Sequence, residues 1–354
     1  MFDPTLVRFG GWRAMSVTAI APGRVNLIGD HTDYTGGLAL PMAIDLMTTV
    51  TGEPGGDRVV LQSAEQREPA VMALAIADPA SMEPPWARYV AGVVAELSPE
   101  DGFTGTVTTT IPLGAGLSSS AALELAVALA LGAPADPLTL AALCQRAERA
   151  ASGVPCGIMD QLTSAAGVSG HALLLDCHAL TFTPVAIPDD VDVVVIHSGE
   201  VRRLAHSGYA RRRGQCEEAE AIIGPLRLIE DPADLDAIDD PVLRSRARHV
   251  ITENFRVGAF AEALVAGDLA TAGRLMGQSH TSLAEDFAVS TPIVDALVAR
   301  LAMTSGVHGA RMTGGGFGGC VVALTEPDVL AEGWKVRPGP GARCRRTGGI
   351  PRHD

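Results

Sequence analysis

Pro112-Leu-Gly-Ala-Gly-Leu-Ser-Ser-Ser-Ala-Ala-Leu123 follows an alternating, threonine-rich segment (Thr104 to Ile111) and precedes an apolar one. It therefore reads as the end of a strand, a glycine turn and the opening of a helix. Gly114 and Gly116 let the backbone approach a ligand closely. The first N–H groups of the helix point outward without partners, at the positive end of its dipole. Such a turn is an anion site, and phosphate is its natural guest. A plain structural turn has the same composition. Two further segments, Pro22-Gly-Arg-Val-Asn-Leu-Ile-Gly-Asp-His-Thr-Asp-Tyr34 and Met312-Thr-Gly-Gly-Gly-Phe-Gly-Gly-Cys320, are equally dense in glycine and directed polar groups. Three such segments spread over one chain are hard to explain as independent turns.

Outward from that turn, residues 46–51 and 58–62 read as short strands and Trp86 to Leu97 as an amphipathic helix. Ser118 to Gly132 is apolar on nearly every side, which predicts a helix buried between layers. Pro137 to Ser152 is a further helix, with Asp136 placed to cap its start and Gly153 to end it. Strand-like runs follow at 171–175, 180–186 and 191–197, and Pro188-Asp-Asp190 marks the expected domain boundary. Helices at 205–223, 242–266, 268–284 and 291–303 come next, and strands at 309–313 and 319–325 flank the closing glycine segment. Mixed sheets with helices to one side predict an α+β protein of two layered α/β domains, 1–187 and 188–337, not one doubly wound sheet. From Arg337 on, Pro, Gly and Arg dominate without apolar periodicity, so 338–354 reads as an irregular basic tail.

With 354 residues, 47% hydrophobic and 19% charged, the chain can bury the interior of about two domains. Its formal charge of −14 argues against nucleic acid or an acidic membrane as a partner, so small molecules are expected, with any anion held locally. The six cysteines, at 144, 156, 177, 216, 320 and 344, form no Cys-x-x-Cys pair and no zinc-like grouping, and read as free thiols. Residues 1–20 lack the pattern of a secretion signal. The most apolar run, Ala121 to Leu131, contains Glu124 and falls short of the ~20 residues that span a bilayer. A cytoplasmic protein is expected. The chain holds a single lysine, Lys335, among 27 basic residues. A P-loop, a protein kinase and a Schiff-base enzyme each need a lysine at a defined place, and none of these fits. A nucleotide here must be handled by backbone amides, hydroxyls, a metal and arginine.

Glu148 shares a helical stripe with Ala141, Cys144 and Ala151, so its carboxylate points into apolar surroundings and needs a partner. A divalent cation held together with the Ser120 hydroxyl and nucleotide phosphate is one answer; an ion pair with Arg146 or Arg149 is the other. Asp160 opens a new helix after a Pro- and Gly-shaped loop, where an N-cap role alone would account for it. Arg24 fits a structural ion pair equally well. His31, Asp33 and Tyr34 read either as a polar surface turn or as a set of hydroxyl-binding groups, and spacing does not decide between them.

Together the three glycine-rich segments resemble the sugar, homoserine, mevalonate and phosphomevalonate kinase superfamily, and within it the galactokinase family, over residues 9–337. Gly23-Arg-Val-Asn-Leu-Ile-Gly-Asp-His-Thr-Asp-Tyr-Thr-Gly-Gly37 is similar to the galactokinase signature, which other superfamily members lack. The resemblance implies a ribosomal-protein-S5-like N-terminal domain and a ferredoxin-like C-terminal domain with the active site between them. It implies ATP and Mg2+ as cofactors, phosphorylation of the anomeric hydroxyl of galactose, and a monomer. Asp160 and Arg24 match the catalytic pair, and Ser120 and Glu148 the magnesium ligands. Gly114, Ala115, Gly116, Leu117, Ser118, Ser119 and Ser120 match the phosphate cradle, and Trp86 resembles an adenine-side residue. Asp30, His31, Asp33, Gly157 and Tyr209 match sugar contacts. Two features depart from the family: it usually has Glu where this chain has Asp30, and it normally closes with an orderly strand. The alternatives are a related kinase of N-acetylgalactosamine, arabinose or galacturonic acid, and a silent galactose and ATP sensor. Retention of Arg24, Asp160, Ser120 and Glu148 speaks against the sensor.

Overall fold

The computed structural model describes residues 15–200 and 205–348. The first half of the chain builds β1 (Ser16–Asn26), β2 (Leu38–Ala39), β3 (Pro41–Pro54), β4 (Arg58–Ser63), β5 (Ala70–Ala73), α1 (Ala87–Leu97), β6 (Phe103–Thr109), α2 (Ser119–Ala130), α3 (Pro137–Ser152), α4 (Met159–Ala166), β7 (His171–Asp176) and β8 (Thr181–Ala186). The second half builds β9 (Asp192–His197), α5 (Ala205–Ile223), α6 (Pro241–Ala266), α7 (Leu269–Glu285), α8 (Pro292–Ala302), β10 (Val307–Thr313), β11 (Cys320–Thr325), β12 (Trp334–Val336) and β13 (Arg343–Thr347).

A six-stranded sheet of order β13-β1-β3-β6-β4-β5 forms the first layer. The threonines of β6 have a structural use: Thr106, Thr108 and Thr109 lie opposite Thr51, Thr49 and Thr48 of β3, cross-strand pairs that suit a half-buried sheet. Helix α2 packs on β1 and β3 and against α1, α3 and α4. Nine of its twelve residues are buried, as an all-apolar helix requires. Helix α3 begins and ends where its caps predict. The Asp136 carboxylate accepts from the Thr139 N–H at 2.9 Å, and Gly153 closes the helix in the left-handed region at φ 70°.

The second sheet, β10-β11-β9-β12, is buried on both faces. Val193, Val195, Cys320, Val322 and Leu324 point into a core shared with the first half of the chain, together with Val257 and Phe260 of α6. Val194, Ile196, Val321 and Ala323 point the other way, into a second core walled by α5, α6 and α8. Two-sided burial is why these strands read as unbroken apolar runs instead of alternating ones.

The basic tail departs from its expectation. Residues 343–347 form β13, which pairs antiparallel with β1 from Ser16 opposite Thr347 to Ile20 opposite Arg343, closing one edge of the six-stranded sheet. The connection is laid down by backbone: Gly339 N–H donates to Ala43 O, Gly341 N–H to Gly167 O and Ala342 N–H to Ser164 O. Pairing of this kind leaves no apolar periodicity: Cys344 packs inward, Arg346 on the same face reaches the Leu129 carbonyl of α2, and Arg343 and Arg345 are exposed. Residues 349–354 of that tail, and residues 1–14 of the leading segment, lie outside the described residues.

Because β11 faces two cores, Val321→Ala and Val322→Ala are each expected to cost about 1–3 kcal/mol. Denaturant unfolding of the two variants checks this; in a sheet with one solvated face, one of the pair would be nearly neutral.

Candidate active site

Arg24 sits in β1 just past a register break at Pro22, an irregularity that re-aims a strand side chain. Its guanidinium meets Asp160 as a fork: Nε donates to Oδ1 at 2.7 Å and Nη2 to Oδ2 at 2.6 Å, while Nη1 donates to Gly116 O at 2.8 Å. Asp160 is the second residue of α4, whose N-cap position is Ile158 and carries no side-chain cap. The capping alternative is therefore excluded. Ser118 adds a third donor, its hydroxyl 2.5 Å from Oδ2. An ionised carboxylate offers about four acceptor directions, so about one stays open toward the cavity. Arg24 is nearly enclosed, with a side chain 7% exposed, whereas Asp160 keeps 29%.

The backbone of the loop that opens α2 is turned at three positions. Gly114 and Gly116 have φ of 76° and 71°, and Ser118, at the N-cap of α2, is itself left-handed at φ 57°. The side chains of Ala115 and Leu117 are buried, so these two residues offer only backbone to a ligand. The Leu117 carbonyl accepts from Arg24 N–H at 3.1 Å, and the Ala115 carbonyl from the Cys320 thiol at 2.8 Å, which ties the closing glycine segment to this loop. Ser119 and Ser120 open onto a cavity of about 250 Å³ whose walls include Trp86, Tyr89, Thr48 and Leu123. The indole of Trp86 is fixed there by its N–H, which donates to Glu68 O at 3.1 Å.

Ser120 Oγ donates to Glu148 Oε1 at 3.1 Å. The ion-pair alternative for Glu148 fails, because Arg146 pairs with Glu96 and Arg149 donates to Cys156 O. Instead Gln161 Nε2 donates to Glu148 Oε2 at 2.5 Å and lies 3.4 Å from Glu124 Oε2. Burial, reinforced by the charge of Asp160, pushes the Glu148 carboxyl up to about 7. Glu124 is fully enclosed and pushed well above the usual carboxylate range by burial and then by the charge of Glu148. Neither Glu124 nor Gln161 stood out beforehand. The signal available was a lone acid on a helix otherwise buried throughout.

A second cavity, of about 120 Å³, gathers Arg24, Asp160, Asp30, His31, Asp33, Gly157 and Tyr209. The surface-turn reading of 31–34 is thus corrected: His31 is buried and left-handed at φ 66°, and its Nδ1 lies 2.9 Å from Tyr34 Oη. Burial drives the His31 imidazole down to about 3, so it is neutral. The ring of Tyr209 packs on those of His31 and Tyr34, each centroid pair 5.4 Å apart. Position 157 has to be glycine, since a Cβ there would fall 1.7 Å from Asp33 Oδ2. Burial first, then the charges of Asp160 and Asp30, raises the Asp33 carboxyl to about 6. Asp30 lines the cavity with its carboxylate already engaged: Oδ1 accepts from Gly314 N–H at 2.9 Å and Oδ2 lies 2.6 Å from Arg311 Nη2. Of the expected site residues, Trp86, Ser119 and Ser120 line the larger cavity and Arg24, Asp30, His31, Asp33, Gly157, Asp160 and Tyr209 the smaller; Gly114, Ala115, Gly116, Leu117, Ser118 and Glu148 line neither, and Ser118, next to Ser119, links the two through its bond to Asp160.

Three family models match the chain: the galactokinase galactose-binding signature over residues 8–54, the GHMP kinases N terminal domain over 88–168 and the GHMP kinases C terminal domain over 260–334. Galactokinase from Homo sapiens is 44% identical over 337 residues, covering 90% of this chain and 85% of the relative. Galactokinase from Bos taurus is 44% identical over 342 residues, covering 91% and 86%. The crystal structure of Lactococcus lactis galactokinase complexed with galactose superposes with a TM-score of 0.84 at 31% identity, covering 95% of this chain and 96% of that one. Methanococcus jannaschii mevalonate kinase, at 20% identity, TM-score 0.65 and coverage of 96% and 98%, shares the fold.

In the free protein the Asp33 carboxyl is expected to titrate near pH 6, and Asp160→Asn to move it downward by removing a neighbouring negative charge. Carboxyl-carbon NMR across pH 4–8 reads both outcomes.

Proposed function

The chain belongs to the galactokinase family, and we propose that it transfers the γ-phosphoryl group of ATP to the anomeric hydroxyl of α-D-galactose, giving galactose 1-phosphate and ADP. The observation that carries this reading is the Arg24–Asp160 fork on the wall of the 120 Å³ cavity, tied through the Ser118 hydroxyl to Ser119 and Ser120 of the 250 Å³ one. A sugar in the first and a nucleotide in the second would meet at Asp160.

In the proposed reaction the anomeric hydroxyl donates to the open acceptor direction of Asp160. As the sugar oxygen bonds the γ-phosphorus, its proton passes to that carboxylate and the bond from phosphorus to the ADP oxygen breaks. Arg24 keeps the carboxylate fixed and offsets charge on the transferred group. Phosphoryl transfer passes through a loose transition state, so orientation of the hydroxyl by a carboxylate that three donors already hold is the larger share of the Asp160 role. The backbone amides of 114–120 would cradle the phosphates, and Trp86 would flank the adenine. Among the described residues no group of three or more His, Cys, Asp or Glu side chains is arranged to hold a metal. Ser120 and Glu148 nevertheless offer the few hard oxygen donors that suit Mg2+, which takes its remaining ligands from phosphate and water and, when bound, neutralises phosphate charge.

Asp33, His31 and Tyr209 supply the polar contacts through which a neutral sugar is oriented, and a site built around given hydroxyls rejects analogues lacking them. The machinery comes from a single chain, which suits the proposed monomer. Six free thiols fit the proposed cytoplasmic setting, and among the described residues no helix is long and apolar enough to cross a membrane.

Asp160→Asn is expected to slow turnover by about 10²–10⁴-fold while ATP binding stays nearly unchanged; coupled ADP-release kinetics together with nucleotide titration check it. Since an acceptor oxygen is lost when Asp33 takes up its proton, galactose affinity is expected to fall as pH drops through about 6. Below that point the decline should approach tenfold per pH unit. Asp33→Asn should flatten this dependence, read from galactose KM between pH 5 and 8.

A further inference from the structure

The backbone of residues 27–30 is gripped from behind by side chains that line neither cavity. Gly29 N–H donates to Glu253 Oε1 at 3.0 Å, His249 Nε2 lies 3.1 Å from Asp30 O, and Arg311 Nη1 donates to Leu27 O at 3.1 Å. Glu253 and His249 stand one turn apart on α6 and are fully enclosed. Each is itself held. Ser279 of α7 donates to Glu253 Oε1 at 2.5 Å and Arg256 Nε to Oε2 at 2.7 Å, while His249 Nδ1 lies 3.0 Å from Ser282 Oγ. Because a carbonyl only accepts, His249 carries a proton on Nε2, and its Nδ1 faces a Ser282 hydroxyl that also lies 3.1 Å from Asp286 Oδ2.

These contacts flank a reversal of the chain. Gly29 is left-handed at φ 94° and His31 at φ 66°, and Thr32 Oγ1 folds back to Gly29 O at 2.8 Å. A left-handed histidine is unfavourable on its own and persists where its surroundings over-determine it. Here one anchor acts on the N–H of residue 29 and the next on the carbonyl of residue 30, so the 28–29 and 30–31 peptides are both held. The phosphate loop and Trp86 have no bond to this cluster; their ties run to Arg24, Asp160, Cys320 and Glu68.

We propose that Glu253 and His249 are positioning residues for the sugar: by fixing the 28–29 and 30–31 peptides, they set the reversal that presents His31 and Asp33 to the sugar cavity, and leave the nucleotide side untouched. This rests on the kinase reading above, and it makes the sugar site a joint product of both halves of the chain. The first half supplies His31 and Asp33, and α6 supplies their aim.

Wild-type protein, Glu253→Gln, His249→Phe and His249→Gln are compared by steady-state kinetics in both substrates, by direct galactose and ATP titrations, and by thermal unfolding. Glu253→Gln removes the charge while keeping the shape, and His249→Phe removes the donor. Each is expected to raise galactose Kd and KM by about 10–100-fold, with ATP Kd and kcat within about threefold of wild type. His249→Gln, which can still donate to Asp30 O, should recover most of the loss. Unchanged galactose Kd in the two disruptive variants overturns the proposal; so does a parallel loss of galactose and ATP binding with a lowered unfolding temperature, which is the mark of a merely structural role. If Glu253→Gln does not fold, Ser279→Ala decides, since it strips one donor from Glu253: a rise in galactose KM alone supports the proposal and no rise overturns it. Wild-type turnover of galactose tests the kinase reading separately, and if another sugar is the substrate the same comparison is made with that sugar.

Discussion

Everything at the site depends on the fork between Arg24 and Asp160. It joins β1 to α4, and through Gly116 O and the Ser118 hydroxyl it also fastens the loop that opens α2. Pulling a guanidinium that is 7% exposed away from its carboxylate would strand a nearly buried charge, which typically costs about 3–5 kcal/mol. That penalty holds three distant segments in one geometry before any ligand arrives. It also explains why a register break is tolerated in β1 beside Pro22: a regular strand would aim Arg24 elsewhere.

Around this fork the protein separates its two electrostatic tasks. On one side the ligand is expected to be strongly anionic, yet the chain is acidic overall and nearly without lysine, so the attraction is local: left-handed turns, the start of α2, and one arginine. On the other side a neutral ligand meets three carboxylates, those of Asp30, Asp33 and Asp160, crowded into one small cavity. Two of them are matched by arginines, Asp160 by Arg24 and Asp30 by Arg311. Among the described residues Asp33 forms no ion pair with an arginine, and it is the one whose ionisation is pushed toward neutrality. Behind Ser120, Glu124 and Glu148 repeat the pattern with Gln161 between them.

Much of this was readable from local patterns because the physical cause was local. The caps of α3 lie within three residues of its ends, and the two-faced burial of β9 and β11 is written in continuous apolar runs. The glycine loops declare themselves through positive φ. What stayed hidden depends on contacts far apart in sequence or on backbone alone. His249 and Glu253 sit in α6 as ordinary polar residues of a long helix, and their meaning comes from a loop more than 200 residues away. Gln161 stands next to Asp160 and draws no notice until α2 and α3 bring Glu124 and Glu148 to it. The tail failed for another reason. An edge strand held by N–H and C=O groups needs nothing from its side chains, so arginines hid β13.

Asp30 shows how the three glycine-rich segments become one object. It belongs to the first of them, and its carboxylate reaches the Gly314 N–H of the last while pairing with Arg311 just before it. Thr313 donates to Asn26 O in parallel, and Cys320, at the far end of the same segment, donates to Ala115 O in the phosphate loop. The closing segment is therefore a clamp between residues 26–30 and the loop that opens α2. A carboxylate one methylene longer at position 30 would not fit the same distances to Gly314 and Arg311 without shifting one of these strands. The shorter acid in this chain thus serves the clamp first. On the proposed reading, recognition of sugar hydroxyls then shifts toward Asp33, His31 and Tyr209, the first two of them placed by the reversal that α6 holds from behind.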